Sequence, residues 1–461
     1  MQFMNILKNL PEIKGPLEKR LSFNVKLKWT LIVLVSFFIL ANVPLYGLAK
    51  NALERFQYLA IILGTDFGSI ISLGIGPIVM ASIILQLLVG SQIINIDTST
   101  TEGKKFFQGI QKLMVFFFII FEAMVYVLMK GLEAMPGFST IVITQLCLGG
   151  LAIVFMNELV EKWGFGSGVS LFIAAGVGWR LFTGMFQFIS IGGTNCLMDF
   201  SGTPCAGKIL VLIQSIINQA PTEAFNAFAI LAVTAIIFLA VVWAQSLKVE
   251  IPLSYDRLRG YGIRWPLAFF YASVIPVILT AALAANLQLF AGLVEGWLGH
   301  PTFLGTFSQG RAVAGFAFWI SNVNILEAVI TGSFRNIYIF QALSHILFYM
   351  TFSTIFAVFW VKTSGMDASS QAKNIMNSGL QIPGFRKDER VLESVLSRYI
   401  MPLTIMGGAA IGLLASGANL LGTLTSGTAI LLAVMIIHQF YTNIAQQHAV
   451  DMHPAMKKMM E

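Results

Sequence analysis

Side chains that could bind a metal or catalyse a reaction are sparse in this sequence. The strongest candidates for metal binding are three histidines near its C-terminal end. His438, His448 and His453 look like metal ligands, since imidazole is a common ligand of metal ions in proteins. Their spacing does not match the common zinc patterns, so we expect no metal site and no cofactor. No phosphate-binding loop occurs between a strand and a helix, so any energy that the protein uses must come from a partner.

Nucleophiles and thiols give equally little support for catalysis. Ser167 in GFGSG has no histidine near it in the sequence, and no motif links it to His345 or His438. Nucleophilic catalysis needs a base beside the nucleophile, so we expect that the chain is not an enzyme. Cys196 and Cys205 share one loop, where an oxidising exterior would let them form a disulfide, although they could also remain thiols.

The composition predicts a membrane protein. Hydrophobic residues make up 56% of the chain and charged residues only 11%, whereas about a quarter of the residues in a soluble domain are charged. Several charge-free runs exceed the roughly 20 apolar residues that a spanning helix needs. They lie between Lys28 and Lys50, Glu133 and Glu158, Glu223 and Lys248, Arg264 and Glu295, and Arg335 and Lys362.

We predict ten membrane-spanning helices from these runs. The last two come from one long charge-free stretch, in which GTLTSGT at 422–428 predicts a tight turn between antiparallel helices. The predicted spans are 29–49, 76–94, 113–132, 137–157, 168–190, 225–247, 266–290, 336–361, 400–421 and 428–447.

The basic residues predict how these spans are oriented. Ten spans leave both ends of the chain on one side, and most of the 29 Lys and Arg residues fall on that side. The positive-inside rule then places both termini in the cytoplasm, so the net charge of +7 is partly a topology signal and weakens a nucleic-acid interpretation. Residues 1–28 mix apolar and basic side chains, as in an amphipathic segment on the cytoplasmic membrane surface, although a solvated tail would look similar.

Five spans in each half predict two inverted halves, because an odd number reverses the orientation of the second half. The halves are 29–190 and 225–447, joined by an external loop at 191–224. Span 2 then corresponds to span 7, and the two carry Pro77 and Pro276. Interrupted apolar segments at matching positions indicate a central pathway, although membrane helices tolerate proline and the match could be chance.

The stretch before Pro77 is apolar but too broken to span a membrane. Proline fits the first turn of a helix, so span 2 should begin near Gly76. Glycines and Asp66 interrupt the preceding residues 56–75. Irregular backbone at membrane depth is tolerated only where protein buries it or where it lines a cavity. A short segment folded back into a cavity meets that demand and would act as a stopper.

Five motifs, in this order along the chain, point to one family. They are LGIGPIVMASIILQLLVGS at 73–91, WGFGSGVSLFIAAGV at 163–177, AQSLKVEIPLSYDRLRG at 244–260, IPVILTAALAANLQ at 275–288 and GFRKDE at 384–389. Together they resemble SecY, the pore subunit of the protein-conducting translocon. The residues of these motifs look more like those of archaeal SecY and its eukaryotic counterpart than like those of the bacterial form.

The resemblance implies an all-α membrane protein with ten transmembrane helices, in two pseudo-symmetric inverted halves around a central pore. It also implies that a ring of aliphatic side chains closes the pore to ions, which would lose their hydration with nothing in return. By motif, the ring is Ile75 and Val79 of span 2, Val169 and Ile173 of span 5, Ile278 of span 7 and Leu432 of span 10. The stopper, about residues 58–70, corresponds to the family's plug, with Leu59, Ile62, Asp66, Phe67 and Ile70.

The resemblance further implies a lateral gate between spans 2/3 and 7/8, through which apolar segments would enter the lipid. Gln86, Glu122 and Asn286 match its polar positions. An intramembrane glutamate is costly and is therefore a functional candidate, while a structural hydrogen bond between helices is the alternative. Met80 replaces the small polar residue often found in relatives, and could change how readily the gate opens.

Two cytoplasmic loops, 248–265 and 362–399, are basic, and a cytoplasmic tail follows at 448–461. In the family these loops dock the ribosome, and Arg and Lys can meet ribosomal RNA phosphates without base specificity. Topology charge alone is the alternative. The residues that match the docking role are Arg257, Arg259, Arg264, Arg386 and Lys387.

The expected function is therefore a passive channel in the cell membrane, gated by the plug and the lateral gate. It would carry secreted polypeptides across the membrane and insert membrane segments sideways. The expected partners are SecE-type gamma and small beta subunits, a ribosome or another motor, the nascent polypeptide with its signal sequence, and the lipid bilayer. A secondary transporter of a small solute is the alternative, because transporters also favour inverted repeats and broken helices.

Overall fold

The computed structural model of the chain describes most residues between 10 and 452. The described ranges are 10–17, 21–48, 68–90, 93–94, 96, 100–129, 132–188, 196, 205–255, 262–272, 274–308, 311–377, 380–381 and 388–452.

Helices make up most of the described chain, and the long ones are apolar along nearly their whole length. In chain order they are α1 Phe23–Ala41, α2 Gly76–Gly90, α3 Thr101–Leu128, α4 Ser139–Trp163, α5 Gly168–Phe186, α6 Lys208–Ile217, α7 Pro221–Ser246, α8 Ile275–Leu298, α9 Phe316–Ile320, α10 Ile325–Ile330, α11 Ile337–Thr363, α12 Ala368–Asn377, α13 Glu389–Leu420 and α14 Gly427–Met452.

Nine helices in the described part of the chain are long and apolar enough to cross a membrane. They are α1, α3, α4, α5, α7, α8, α11, α13 and α14. The second predicted span is the apolar helix α2, which has 15 residues in the structure. The 10-residue helix α6 lies between α5 and α7 and is too short to span a bilayer.

Several span boundaries differ from their predicted positions, since α3 begins at Thr101 instead of 113 and α13 begins at Glu389 instead of 400. Two further differences have a local cause. The first helix ends at Ala41 instead of 49, because the chain then turns, and Pro44 pairs with Ser69 before α2 through an isolated β-bridge. The seventh span begins at Ile275 instead of 266, because residues 262–268 form a strand. This correction puts Pro276 in the first turn of α8, just as Pro77 stands in the first turn of α2. The two interrupted segments are thus more alike than the sequence suggested.

Short strands lie at the two ends of the helical bundle. Strands β1 Lys248–Tyr255 and β2 Gly262–Ala268 form an antiparallel hairpin after α7. A second hairpin, β3 Thr306–Ser308 and β4 Arg311–Ala314, lies between α8 and α9. The two-residue strand β5 Leu380–Gln381 pairs with the far end of β1, which brings the two predicted basic loops together.

The helices pack as two groups that meet along two seams. Helices α1 to α5 contact one another in the first half, and α7, α8, α11, α13 and α14 do so in the second. One seam is formed by α2 against α8 and α11. The other is formed by α14 against α5 and α1. One large hydrophobic cluster lies between the seams and draws side chains from both groups.

An irregular segment, buried except for the partly exposed Ile70, leads into α2. The Leu45 N–H donates to the Gly68 carbonyl at 2.7 Å, and the Ile70 N–H donates to the Val43 carbonyl at 3.0 Å. Tight turns follow, in which the Ser72 hydroxyl donates to the Ser69 carbonyl at 2.6 Å. Protein therefore buries this non-helical backbone and satisfies part of its hydrogen bonding, as membrane depth requires.

Gly149 of α4 makes room for this segment. A Cβ at that position would lie 1.9 Å from the Ile70 carbonyl oxygen, which is a backbone atom that a rotamer change cannot move. The close approach of α4 to the chain before α2 thus requires a glycine at position 149.

We predict that Gly149→Ala destabilises the protein by about 1–3 kcal/mol, the usual effect of overpacking a closely packed interior. The measurement is the thermal unfolding of the purified protein in detergent. Gly178→Ala in α5 is the matched control, because a Cβ there meets no atom within 4 Å. Equal melting temperatures for the two variants would contradict the close approach of α4 to Ile70.

Candidate functional site

The first pair of predicted ring residues stands at the entry to α2. Ile75 directly precedes the helix, and Val79 lies one turn further on, with its N–H bonded to the Ile75 carbonyl at 3.0 Å. Residues four apart share one helix face. Both side chains are buried, with 3% and 4% of their surface exposed, so neither faces the lipid.

The second pair stands at the start of α5, where a side chain of another helix fixes the first turn. The hydroxyl of Ser167, at the N-cap position, makes no capping bond. The Val169 N–H donates instead to Oδ1 of Asn157 in α4, at 2.9 Å. Asn157 Nδ2 in turn donates to Glu161 Oε1 at 3.0 Å, which orients the amide. Asn157 therefore caps α5 and places Val169 and Ile173 on the inner side.

The second half of the chain supplies the other two residues. Ile278 lies one turn into α8, just after Pro276, and Leu432 lies in the buried part of α14. The Thr280 hydroxyl donates a hydrogen bond to the Pro276 carbonyl at 2.8 Å. The same hydroxyl lies 3.2 Å from Ser353 Oγ of α11.

All six aliphatic side chains belong to or pack against the hydrophobic cluster between the two seams. They come from both halves of the chain, and only Val169 is partly exposed. Such a cluster offers neither water nor ions a polar contact, so it suits a closure in the middle of a membrane protein. Their role as a pore ring remains a prediction. The predicted plug residue within the described chain is Ile70, whereas Leu59, Ile62, Asp66 and Phe67 lie outside it.

The three polar residues predicted for the lateral gate are all buried near one seam. Gln86 of α2, Glu122 of α3 and Asn286 of α8 are 3%, 2% and 6% exposed. Asn286 Nδ2 donates to the Ala282 carbonyl within its own helix at 2.9 Å. Neither carboxyl oxygen of Glu122 has a hydrogen-bond partner in the described protein, and the same holds for Gln86 Oε1. Buried polar atoms without partners are costly, so these two side chains destabilise the closed packing at this seam.

The basic loops are only partly described, but their strands show how the loops are arranged. Arg264 lies exposed on β2 and pairs with Glu250 of β1, with Nη1 and Oε2 2.9 Å apart. The other four predicted docking residues, Arg257, Arg259, Arg386 and Lys387, lie outside the described chain. The pairing of β5 with β1 was not predicted, because a two-residue strand leaves no periodic signal in the sequence.

The described N-terminal residues are held by the end of α4. Residues 10–17 form no helix. The Ile13 N–H donates to Glu158 Oε2 at 3.1 Å, and its carbonyl accepts from Lys162 Nζ at 2.6 Å. Lys162 also bonds to Glu12, which lowers the pKa of that carboxyl below its ordinary value. The last turns of α4 thus bind the N-terminal segment on one side and α5 on the other.

His345 of α11 is buried and forms hydrogen bonds within the protein. His345 Nδ1 lies 2.6 Å from the Ile320 carbonyl, and its Nε2 lies 3.3 Å from Asn419 Nδ2. Asn419 also donates to Thr428 at 2.6 Å, so His345 belongs to a structural network. No group of three or more potential metal ligands occurs among the described side chains.

The fold and the site together define a class of protein. A multi-pass helical bundle, with two halves meeting around an aliphatic centre and a polar seam on one side, is the arrangement of a membrane channel.

Comparisons with known proteins identify the family. A model of the SecY family matches residues 69–441. The protein translocase subunit SecY of Methanothermobacter thermautotrophicus is 43% identical over 100% of this chain and 98% of its own. The chain therefore belongs to the SecY family, as its motifs suggested.

Solved structures agree with this assignment. The solved structure of a protein-conducting channel is similar with a TM-score of 0.83 at 36% identity, over 99% of each chain. Sec61 in the canine ribosome–channel complex from the endoplasmic reticulum has a TM-score of 0.79 at 35% identity, also over 99% of each chain. The protein thus has the family's ten transmembrane helices in two halves.

We predict that Asn157→Ala raises the resting ion leak of the reconstituted protein and lowers its stability by about 1 kcal/mol, the usual effect of losing a helix cap. Asn157→Asp should fall between the wild type and the alanine variant, because an Asp oxygen can still accept the Val169 N–H but its charge meets the Glu161 carboxylate to which Asn157 Nδ2 donates. The measurements are bilayer conductance and thermal unfolding.

Asn324→Ala is the matched control, because Asn324 caps the outlying helix α10 through Glu327 with the same pair of bonds. That variant should lose stability without a rise in leak. A leak in both alanine variants, or in neither, would contradict the link between Asn157 and the ring.

Proposed function

We propose that this chain is the central subunit of a protein-conducting channel, which passes unfolded polypeptides across the membrane and releases apolar segments sideways. The observation that carries the proposal is the convergence of six aliphatic side chains from both halves in one cluster. Membership of a family whose members include a protein translocase subunit supports it.

The aliphatic ring would serve as the seal of the channel. Ions entering it would lose their hydration and gain no polar contact, so they would be excluded. The same side chains offer a passing polypeptide no hydrogen bonds, so they would neither hold it nor select its sequence. At the end of the predicted plug, the Ile70 N–H is bonded to the Val43 carbonyl, which follows α1. A plug at 58–70 would therefore be attached at this end, beside the ring.

The seam of α2 against α8 and α11 would serve as the lateral gate. The partnerless polar atoms of Gln86 and Glu122 lower the stability of the closed seam. Opening of this seam would therefore cost less than opening a seam whose polar atoms are all paired, and an apolar signal sequence would enter there. Met80 packs beside both neighbouring hydrophobic clusters and would add apolar contact to the closed state.

The joined strands β1, β2 and β5 would form the docking platform for a ribosome or another motor, with ribosomal RNA as one contact. Binding of SecE-type gamma and small beta subunits is the corresponding proposal for the membrane. The excess of basic residues on one side supports a cell-membrane location with both termini cytoplasmic.

The alternative of a solute transporter receives less support. Transporter sites near the midplane are built from charged or coordinating groups, whereas the centre here is aliphatic. Family membership likewise favours a protein-conducting channel over a transporter.

The direct test is the cross-linking of a stalled nascent chain to cysteines placed at Val79 and Ile278. We expect both positions to cross-link, because both side chains belong to the central cluster. Cysteines at Leu148 and Ile236 are the controls, since those side chains are 65% and 62% exposed on the outside of α4 and α7. Equal labelling at all four positions would argue against a central path.

Reconstitution in the same vesicles separates the two functions. A channel should pass a signal-bearing polypeptide only when a ribosome or another motor is present. Accumulation of a small solute along an ion gradient, without polypeptide passage, would favour the transporter.

We predict that Arg264→Ala weakens ribosome binding and reduces the slope of log K against log salt concentration by about 0.7–0.9, the effect of losing one phosphate contact. Its exposed pair with Glu250 contributes little to stability, so the protein should fold normally. Arg335→Ala is the control, because Arg335 is also exposed but lies before α11, away from the strands. An unchanged slope in Arg264→Ala would exclude this residue from the docking surface.

A further inference from the structure

The short helix α6 between α5 and α7 buries polar side chains and exposes apolar ones. Its buried residues are polar, namely Gln214 and Ser215, which are 7% and 3% exposed. Its most exposed side chains are Ile213, Ile216 and Ile217, at 45%, 63% and 63%. The three isoleucines have the spacing i, i+3 and i+4, so they form one outward face.

The inward polar groups are satisfied within the protein. Gln214 Oε1 accepts the Cys205 N–H at 3.0 Å, and the Ser215 hydroxyl donates to the Val211 carbonyl at 2.6 Å. Their burial therefore carries little penalty. Three isoleucines turned to water would have no such compensation, since apolar surface is favourably removed from water. The face is therefore built for an apolar environment.

The connection around α6 is firmly fixed, so the orientation of the helix is not accidental. Cys196 and Cys205, whose pairing the sequence left open, form a disulfide, with their Cα atoms 5.5 Å apart. The Cys196 N–H donates to the Phe188 carbonyl and the Gly207 N–H to the Gln187 carbonyl, both at 2.9 Å. The start of α6 is thus attached to the end of α5.

The isoleucine face continues the outer surface of the neighbouring spans. Phe182 and Phe186 are exposed at the end of α5, and Phe225 and Phe228 are exposed at the start of α7. In a multi-pass membrane protein these side chains face lipid, and aromatic residues are common near the membrane surface. Because α6 joins these two helix ends, its isoleucines extend the same lipid-facing surface.

We propose that α6 lies in the plane of the membrane surface on its side of the protein, with Ile213, Ile216 and Ile217 inserted at the boundary between headgroups and acyl chains. A 10-residue helix is about 15 Å long, which suits an interfacial helix and cannot span the bilayer. The lipid would then hold the connection between the two halves at a fixed depth, with its polar side turned inward.

The test is nitroxide labelling of single cysteines at Ile213, Ile216 and Asn218, with Cys147→Ala as the background and the disulfide left intact. The protein is reconstituted in vesicles of phosphatidylcholine with a minority of phosphatidylglycerol. Power saturation compares the collision of each label with apolar oxygen and with a water-soluble nickel chelate. Asn218 is the matched control, since it is exposed and follows directly after the helix.

Labels at 213 and 216 should collide several-fold more with oxygen than with the nickel chelate, and the label at 218 should show the reverse. A nickel-accessible label at 216 would place the face in water and overturn the proposal. Protection of that label from both reagents would also overturn it, because a protein partner or a second copy would then cover the face. Neither outcome bears on the channel function, which the cross-linking experiment tests separately.

Discussion

The structure depends on one constraint: hydrocarbon offers backbone groups no hydrogen-bond partner. The chain before α2 is irregular, and it remains at depth only because α4 and the segment after α1 enclose it. The six central aliphatic residues come from both halves because the cluster lies where the two halves meet. The packing of helices thus encloses both the irregular backbone and the aliphatic cluster.

The fold was largely predictable because membrane-spanning helices need long apolar runs, which are easily recognised in a sequence. Charge-free runs located the spans, and Pro77 correctly marked the start of α2. The boundaries at Ala41 and Ile275 were wrong because the turns after α1 and the strand before α8 are also largely apolar. The sequence likewise could not predict the pairing of β1 with β5, which depends on residues more than a hundred positions apart.

The candidate site was predictable only through the family motifs. Ile75 and Leu432 do not differ in type from dozens of lipid-facing aliphatic residues, so periodicity alone could not single them out. Asn157 was missed for a different reason. Its partner Val169 lies beyond the end of its own helix, and an asparagine late in a helix gives no signal that it caps the next one. Tertiary geometry, rather than local preference, decides such a role.

The three-stranded sheet has a mechanical consequence. Strand β1 follows α7 and β5 precedes α13, so every strand of this sheet belongs to the second half of the chain. A large body resting on the sheet would immobilise that half alone. The first half would have no strand in that contact, and the seam along α2 would widen without any loss of contact at the sheet.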